Sequence, residues 1–339
     1  MTPPARGRAH ATLRPVVPVP ASDRRPVISR TIVVYHAHEA AAYARGIRRP
    51  RRALRVATCA SLADAAPVIE DAEILFAWNP PAELLRRARR LRWLQNMGAG
   101  VERLLVAELP PGVVVTRTPG IFGPWMAEYA LGWCLWSTQR TEYFRAQQRA
   151  RRWDQVDPER LHGKTLCVVG LGDIGRAIAR AARPFGLRVL GVSRGGRPVR
   201  EADRVLRPRN LRAALARADF VVLTVPLTAE TRGLVGPREL AAMKSTAWLL
   251  NVARGPVVDE RALLDALRAR RIAGAVLDVF DTEPLPPAHP LWGLDNVVIT
   301  PHISGPSTPE QITPIFNDNL RRYLAGRPLR HVVDRRRGY

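Results

Sequence analysis

The apolar run TLCVV (165–169) leads straight into GLGDIG (170–175) and then into RAIARAARPF (176–185), a stretch with helical periodicity. A G-x-G-x-x-G between a strand and a helix is far more restrictive than the same glycines elsewhere. In that setting Gly170 permits the tight turn, Gly172 leaves room for a pyrophosphate, and Gly175 lets strand and helix pack closely. The free N–H groups and the dipole of the helix N-terminus then face the phosphates. This spacing predicts a nucleotide-binding, doubly wound parallel sheet.

The remaining strands of that sheet are legible as apolar runs at LRVLGV (187–192), DFVVLTV (219–225), TAWLLNV (246–252), IAGAVLDVF (272–280) and NVVIT (296–300). Upstream, TIVVYH (31–36), LRVATCA (54–60), EILFAW (73–78), LRWLQNM (91–97) and GVVVT (112–116) alternate with helical patterns at about 61–70, 81–90 and 98–109. The fold class is α/β, with two doubly wound parallel-sheet domains. Between them a helical pattern runs from Pro124 to about Ala150, with Trp125, Tyr129, Trp133 and Trp136 at helical spacing. Such a stripe is expected in a core or a subunit interface.

Where the next strand ends, a dinucleotide site that selects NAD carries an acid on the ribose 2′-hydroxyl. This chain has Ser193 and Arg194 there, with Arg197 close behind. A missing carboxylate removes the repulsion of a 2′-phosphate, and guanidinium groups grip one. NADP(H) is therefore expected over NAD(H), which stays possible.

Arginine alone proves little in this chain, because Lys and Arg number 53 against 30 acids, and only Lys164 and Lys244 are lysines. The net charge of +23 invites a nucleic-acid partner. The arginines, however, are scattered over polar helix faces and not gathered with aromatics, so a solvated surface is the reading taken. Cys59, Cys134 and Cys167 show neither a disulfide framework nor zinc spacing, so no metal is expected. No run approaches the ~20 apolar residues of a membrane span, and a cytoplasmic location is expected. Residues 1–30, rich in Pro and Arg and lacking an apolar stretch, read as a flexible leader.

Three further side chains stand at successive strand ends, where this fold holds its chemistry: Arg254 in NVARGP, Glu283 in DVFDTEP and His302 in TPHISG. With GLGDIG, the segments LLNVARG, LDVFDTEPL and ITPHISG resemble the signatures of the D-isomer-specific 2-hydroxyacid dehydrogenases, from about residue 31 onward. FAWNPP, LQNMGAGVE, PLW and VDRRRGY most resemble the glyoxylate/hydroxypyruvate reductases of the A type.

That resemblance implies reduction of small 2-oxo acids such as glyoxylate and hydroxypyruvate. Arg254 would hold the carboxylate, His302 would give the proton, and Glu283 would orient the imidazole. The backbone at Ala99 and Gly100 would bind substrate beside Trp78. The implied cofactor contacts extend from Gly170, Gly172, Gly175, Ser193, Arg194 and Arg197 to Asp173, Ile174, Val225, Pro226, Thr231, Val252, Ala253, Ser304 and Gly305. Asp278 would meet the nicotinamide carboxamide. The implied organisation is a flavodoxin-like substrate domain (31–118 and 305–339) around a Rossmann-type cofactor domain (119–304), with substrate in the interdomain cleft. Residues 124–150 would form the arm of a homodimer, and no regulatory domain is expected within the 339 residues. Two other readings stay open: a reductase for a bulkier 2-oxo acid, and a dinucleotide-sensing binding protein resembling the family's co-repressors.

Overall fold

Runs of aliphatic residues with no polar alternation suit strands covered on both faces, and both sheets of this chain are built from them. The computed structural model describes residues 30–48, 54–105 and 108–338. Except for Arg30, the leader lies outside the described residues.

The chain divides into two units: residues up to Gln95 with Glu108–Thr116 and Thr313–Val332, and Asn96–Ala107 with Arg117–Ile312 and Val333–Tyr339. The loop at 96–107 and residues 305–312 thus pack with the larger unit. In the first unit the strands β1 (Arg30–Tyr35), β2 (Leu54–Cys59), β3 (Ala72–Ala77), β4 (Trp93–Asn96) and β5 (Val114–Thr116) form one sheet in the order β2-β1-β3-β4-β5. This is the flavodoxin-like order. Phe316 closes one face, stacked on Phe76 at 4.2 Å and on Trp93 at 5.1 Å between ring centres. Trp93 gives its indole N–H to Thr116 at 2.8 Å, which satisfies the polar handle of a fully buried ring.

The second unit holds β6 (Thr165–Val169), β7 (Arg188–Val192), β8 (Arg204–Leu206), β9 (Phe220–Leu223), β10 (Trp248–Asn251), β11 (Gly274–Leu277) and β12 (Val297–Ile299). Their order is β12-β11-β10-β9-β6-β7-β8. Strand direction in the sheet is parallel at each of these neighbours. Order reverses between β6 and β9, and a crevice outside the carboxyl ends of strands at such a point is where this architecture binds its ligands. Side chains alternate across the sheet: Cys167 and Val169 pack with Leu211, Leu240 and Leu263 on one face, Leu166 and Val168 with Met126 and Ile178 on the other.

Three expectations are corrected in local structure. The helix expected over 124–150 is two helices, Gly123–Thr138 and Thr141–Arg149, separated where Arg140 takes a left-handed φ of 50°. The hydroxyls of Ser137 and Thr138 bond back to Cys134 O just before the break, the local competition that makes such residues poor helix interiors. The helices expected at 61–70, 81–90 and 98–109 shorten to Leu62–Ala65, Ala82–Arg87 and Glu102–Leu105. Edge strand β8 was not expected, because a strand of three residues, Arg204, Val205 and Leu206, carries no readable period. Of the aromatic stripe, Tyr129, Trp133 and Trp136 run edge to face onto Trp248, while Trp125 is exposed. Among the described residues no helix is long and apolar enough to cross a membrane.

Candidate active site

At the end of β6 the chain must turn sharply into the helix Asp173–Ala182, and Gly170 does so with φ 105°. A Cβ on Gly175 would fall 1.9 Å from Gly170 O, so only glycine lets this helix begin so close to the strand. A Cβ on Gly172 would meet nothing within 4 Å, and the helix start has no side-chain cap. Uncapped N–H groups beside open space are a ready anion site. Thr224, just past β9, locks the turn by donating to Gly170 O at 2.7 Å. Sequence reasoning missed Thr224, since its partner is 54 residues away. Ile174 packs partly buried against the sheet. Asp173, expected at the cofactor, accepts from Gly120 N at 2.7 Å.

Ser193 and Arg207 leave the ends of β7 and β8 side by side, as the pairing of Val192 with Leu206 requires. Arg194, Arg197 and Arg207 are all exposed around this turn, and a Cβ on Gly196 would lie 2.6 Å from Arg207 Cγ. Arg207 is a further cation beside the expected pair, hidden because it follows the unexpected strand.

The remaining cofactor candidates divide by what their side chains do. Val225 and Pro226 follow Thr224, and Thr231 Oγ1 donates to Pro226 O at 2.6 Å, which ties that turn to itself. Val252 and Ala253 are buried, and Ala253 N donates to Asn251 Oδ1 while Ala253 O accepts from Arg254 Nη1. Gly305 lies against Met126, where a Cβ would come within 3.2 Å of its Cγ. Asp278, expected at the nicotinamide carboxamide, has no exposed surface. Its carboxylate accepts instead from Thr300 Oγ1 (2.6 Å), Ile303 N (2.8 Å) and Ser304 N (2.9 Å). Thr300 spends its proton on Asp278, so Tyr129 OH donates to Thr300 at 2.7 Å. Burial pushes the Tyr129 phenol up to about 12, which keeps it a donor.

That network fixes the turn bearing His302, whose φ is 55°. His302 Nδ1 sits 2.9 Å from Glu283 Oε2, and Glu283 Oε1 accepts from Phe280 N at 3.1 Å. With Nδ1 turned to the carboxylate, Nε2 is the edge left for a substrate; the side chain is 47% exposed. Burial raises the Glu283 pKa, but the His302 hydrogen bond, the Phe280 N–H and the charges of His302 and Arg254 outweigh it. The carboxyl is held below the ordinary glutamate value.

Arg254 follows β10, where Asn251 shapes the turn by donating to Arg254 O (3.0 Å) and accepting from Ala253 N (3.1 Å). Its guanidinium ends against Gly100, whose Cβ would be 1.6 Å from Nη2. Asn96 braces that loop by donating to Gly98 O and Gly100 O. Ala99 and Gly100 are half-buried in this unit. Trp78 belongs to the other unit, just past β3, and is 37% exposed.

Residues 131–304 match the family model "D-isomer specific 2-hydroxyacid dehydrogenase, NAD binding domain". The chain belongs to this family. A relative, glyoxylate/hydroxypyruvate reductase A of Serratia proteamaculans, is 32% identical over 275 residues, covering 79% of this chain and 88% of its own. Among solved structures, a D-isomer specific 2-hydroxyacid dehydrogenase family protein from Aeromonas salmonicida is 39% identical with a TM-score of 0.85, over 91% of this chain and 99% of that one. The NADPH-dependent glyoxylate/hydroxypyruvate reductase of Sinorhizobium meliloti, solved with NADP and sulfate, is 27% identical with a TM-score of 0.83, over 92% and 100%. As a member of the D-isomer specific 2-hydroxyacid dehydrogenase family, the chain is an oxidoreductase with a nucleotide-binding sheet of the expected order.

Proposed function

We propose that this dehydrogenase reduces small 2-oxo acids, glyoxylate and hydroxypyruvate first, to D-2-hydroxy acids with NADPH. The observation that carries the reading is the Glu283–His302 pair at 2.9 Å, held on the same unit as Arg254 and the glycine turn. The residues present fit a dinucleotide, since Gly172 leaves open space at an uncapped helix start and Gly175 admits no Cβ. Bound NADPH supplies the hydride. Arg254 binds the planar carboxylate and polarises the carbonyl, for which a guanidinium has the right fork of donors. His302 Nε2 gives its proton to the oxygen that gains charge, and Glu283 holds the ring through Nδ1. Ser193, Arg194 and Arg197, joined by Arg207, take the 2′-phosphate.

Two expected outcomes follow. Arg194→Ala lowers the ratio of kcat/KM with NADPH to that with NADH by about tenfold, the worth of one charge-assisted contact; an unchanged ratio returns Arg194 to the solvated surface. Glu283 holds the His302 ring only as a carboxylate, so its contribution depends on its own titration. Glu283 is depressed, so its contribution is present above the ordinary glutamate value and lost as pH falls through its lowered one. The acid limb of kcat/KM therefore lies below the ordinary glutamate range and is lost in Glu283→Gln. A profile identical in wild type and Glu283→Gln contradicts the role of the pair.

Purified protein that binds NADPH but turns over neither oxo acid favours the co-repressor-like reading. Preference for phenylpyruvate over both favours the bulkier-substrate reading.

A further inference from the structure

Arg254 does not stand free to meet an anion: a carboxylate of the protein already touches it. Glu102 Oε1 lies 3.3 Å from Arg254 Nε, and Glu102 Oε2 accepts from Nη2 at 3.4 Å. Both side chains are largely covered, with 29% and 25% exposed. On its other side the guanidinium gives Nη1 to Ala253 O at 2.6 Å. Gly100 stops the end of Nη2: its Cβ would fall 1.6 Å from Nη2 and 2.9 Å from Cζ, in line with that bond, and 2.8 Å from Glu102 Oε2. Three neighbours thus hold the group in place: Glu102 on the Nε–Nη2 edge, Ala253 O at Nη1 and Gly100 off the end of Nη2.

A guanidinium has five N–H donors. With the Nε–Nη2 edge turned to Glu102 and one Nη1 hydrogen given to Ala253, the second hydrogens of Nη1 and Nη2 are left over among the described residues. Two adjacent donors at the tip of a fixed plane match the two oxygens a 2-oxo acid presents, one from its carboxylate and one from its carbonyl. Resting on the function proposed above, we infer that Glu102 is the positioning residue of Arg254. It holds the side-on edge of the guanidinium so that the tip points at substrate, and it balances the arginine's charge before the substrate anion arrives. Glu102 touches Arg254 and acts on the reaction through it. An unbraced arginine samples many rotamers, and the substrate must then order it on binding.

The test is steady-state reduction of glyoxylate with saturating NADPH, alongside the inhibition constant of oxamate, for Glu102→Ala and Glu102→Gln. Glu102→Ala is expected to raise the glyoxylate KM and the oxamate inhibition constant together by about tenfold, with kcat falling less and NADPH affinity unchanged. Glu102→Gln keeps an oxygen acceptor on the same stem and is expected to restore both to within about threefold of wild type. Should the alanine variant fail to fold, Glu102→Asp, one methylene short of the guanidinium, is expected to raise KM in the same way. A KM at or below wild type in the alanine or aspartate variant overturns the inference, because Glu102 would then compete with substrate or leave it untouched. A wild-type protein inactive on both oxo acids marks failure of the functional reading instead.

Discussion

His302→Ala is expected to lower kcat for glyoxylate reduction by about a thousandfold, within the range for loss of a general acid, while the dissociation constant of NADPH stays within about twofold. The separation follows from where the residue sits. Among the described residues its imidazole is paired through Nδ1 to Glu283, and it is nearly half exposed. Removing it therefore opens no core cavity. The turn that bears it is held by backbone groups, with His302 N donating to Asp278 O and with Ile303 N and Ser304 N on the Asp278 carboxylate, all of which alanine keeps. The positive φ of 55° adds some strain for alanine, which the same hydrogen bonds offset. Stopped assays of product and fluorescence titration of NADPH separate the two quantities. Loss of NADPH binding together with activity would move His302 from proton donor to cofactor contact.

Gly100→Ala is expected to be nearly as damaging, although it adds one methyl group. That carbon would fall 1.6 Å from Arg254 Nη2 and 2.8 Å from Glu102 Oε2, so the guanidinium must draw back from its position. Misplacing a substrate-binding group by about 1 Å costs on the order of a hundredfold in rate, and kcat/KM should fall by about that factor. The control is Gly132→Ala in the helix Gly123–Thr138, where a Cβ meets nothing within 4 Å. Alanine there gains up to about 1 kcal/mol of helix propensity and should leave the kinetics unchanged. Equal kinetics in wild type and Gly100→Ala would mean that Arg254 does not act from this position.

The strands were legible because a parallel strand covered on both faces must be a short unbroken apolar run, and the glycine turn because its neighbours on either side carry different periods. Arg254, Glu283 and His302 were legible from their places after β10, β11 and β12. What sequence could not show is the set of contacts made only by folding. Glu102 meets Arg254 across 152 residues, and Thr224 meets Gly170 across 54. For Asp278 the resemblance implied a cofactor contact; sequence did not show that its buried carboxylate also accepts from Ile303 N and Ser304 N in the turn that follows. The break at Arg140 was hidden because the residues on both sides are compatible with helix, and the hydroxyls that compete with the ladder are weak signals in sequence. Arg207 was lost among many arginines until the pairing of β7 with β8 set it beside Ser193.

The most direct measurement is the initial rate of NADPH oxidation by the purified protein with glyoxylate and with hydroxypyruvate, repeated with NADH. Turnover of both acids to the D-hydroxy product where one forms, with kcat/KM higher for NADPH, is the predicted result. NADPH bound with no turnover of either acid would contradict it.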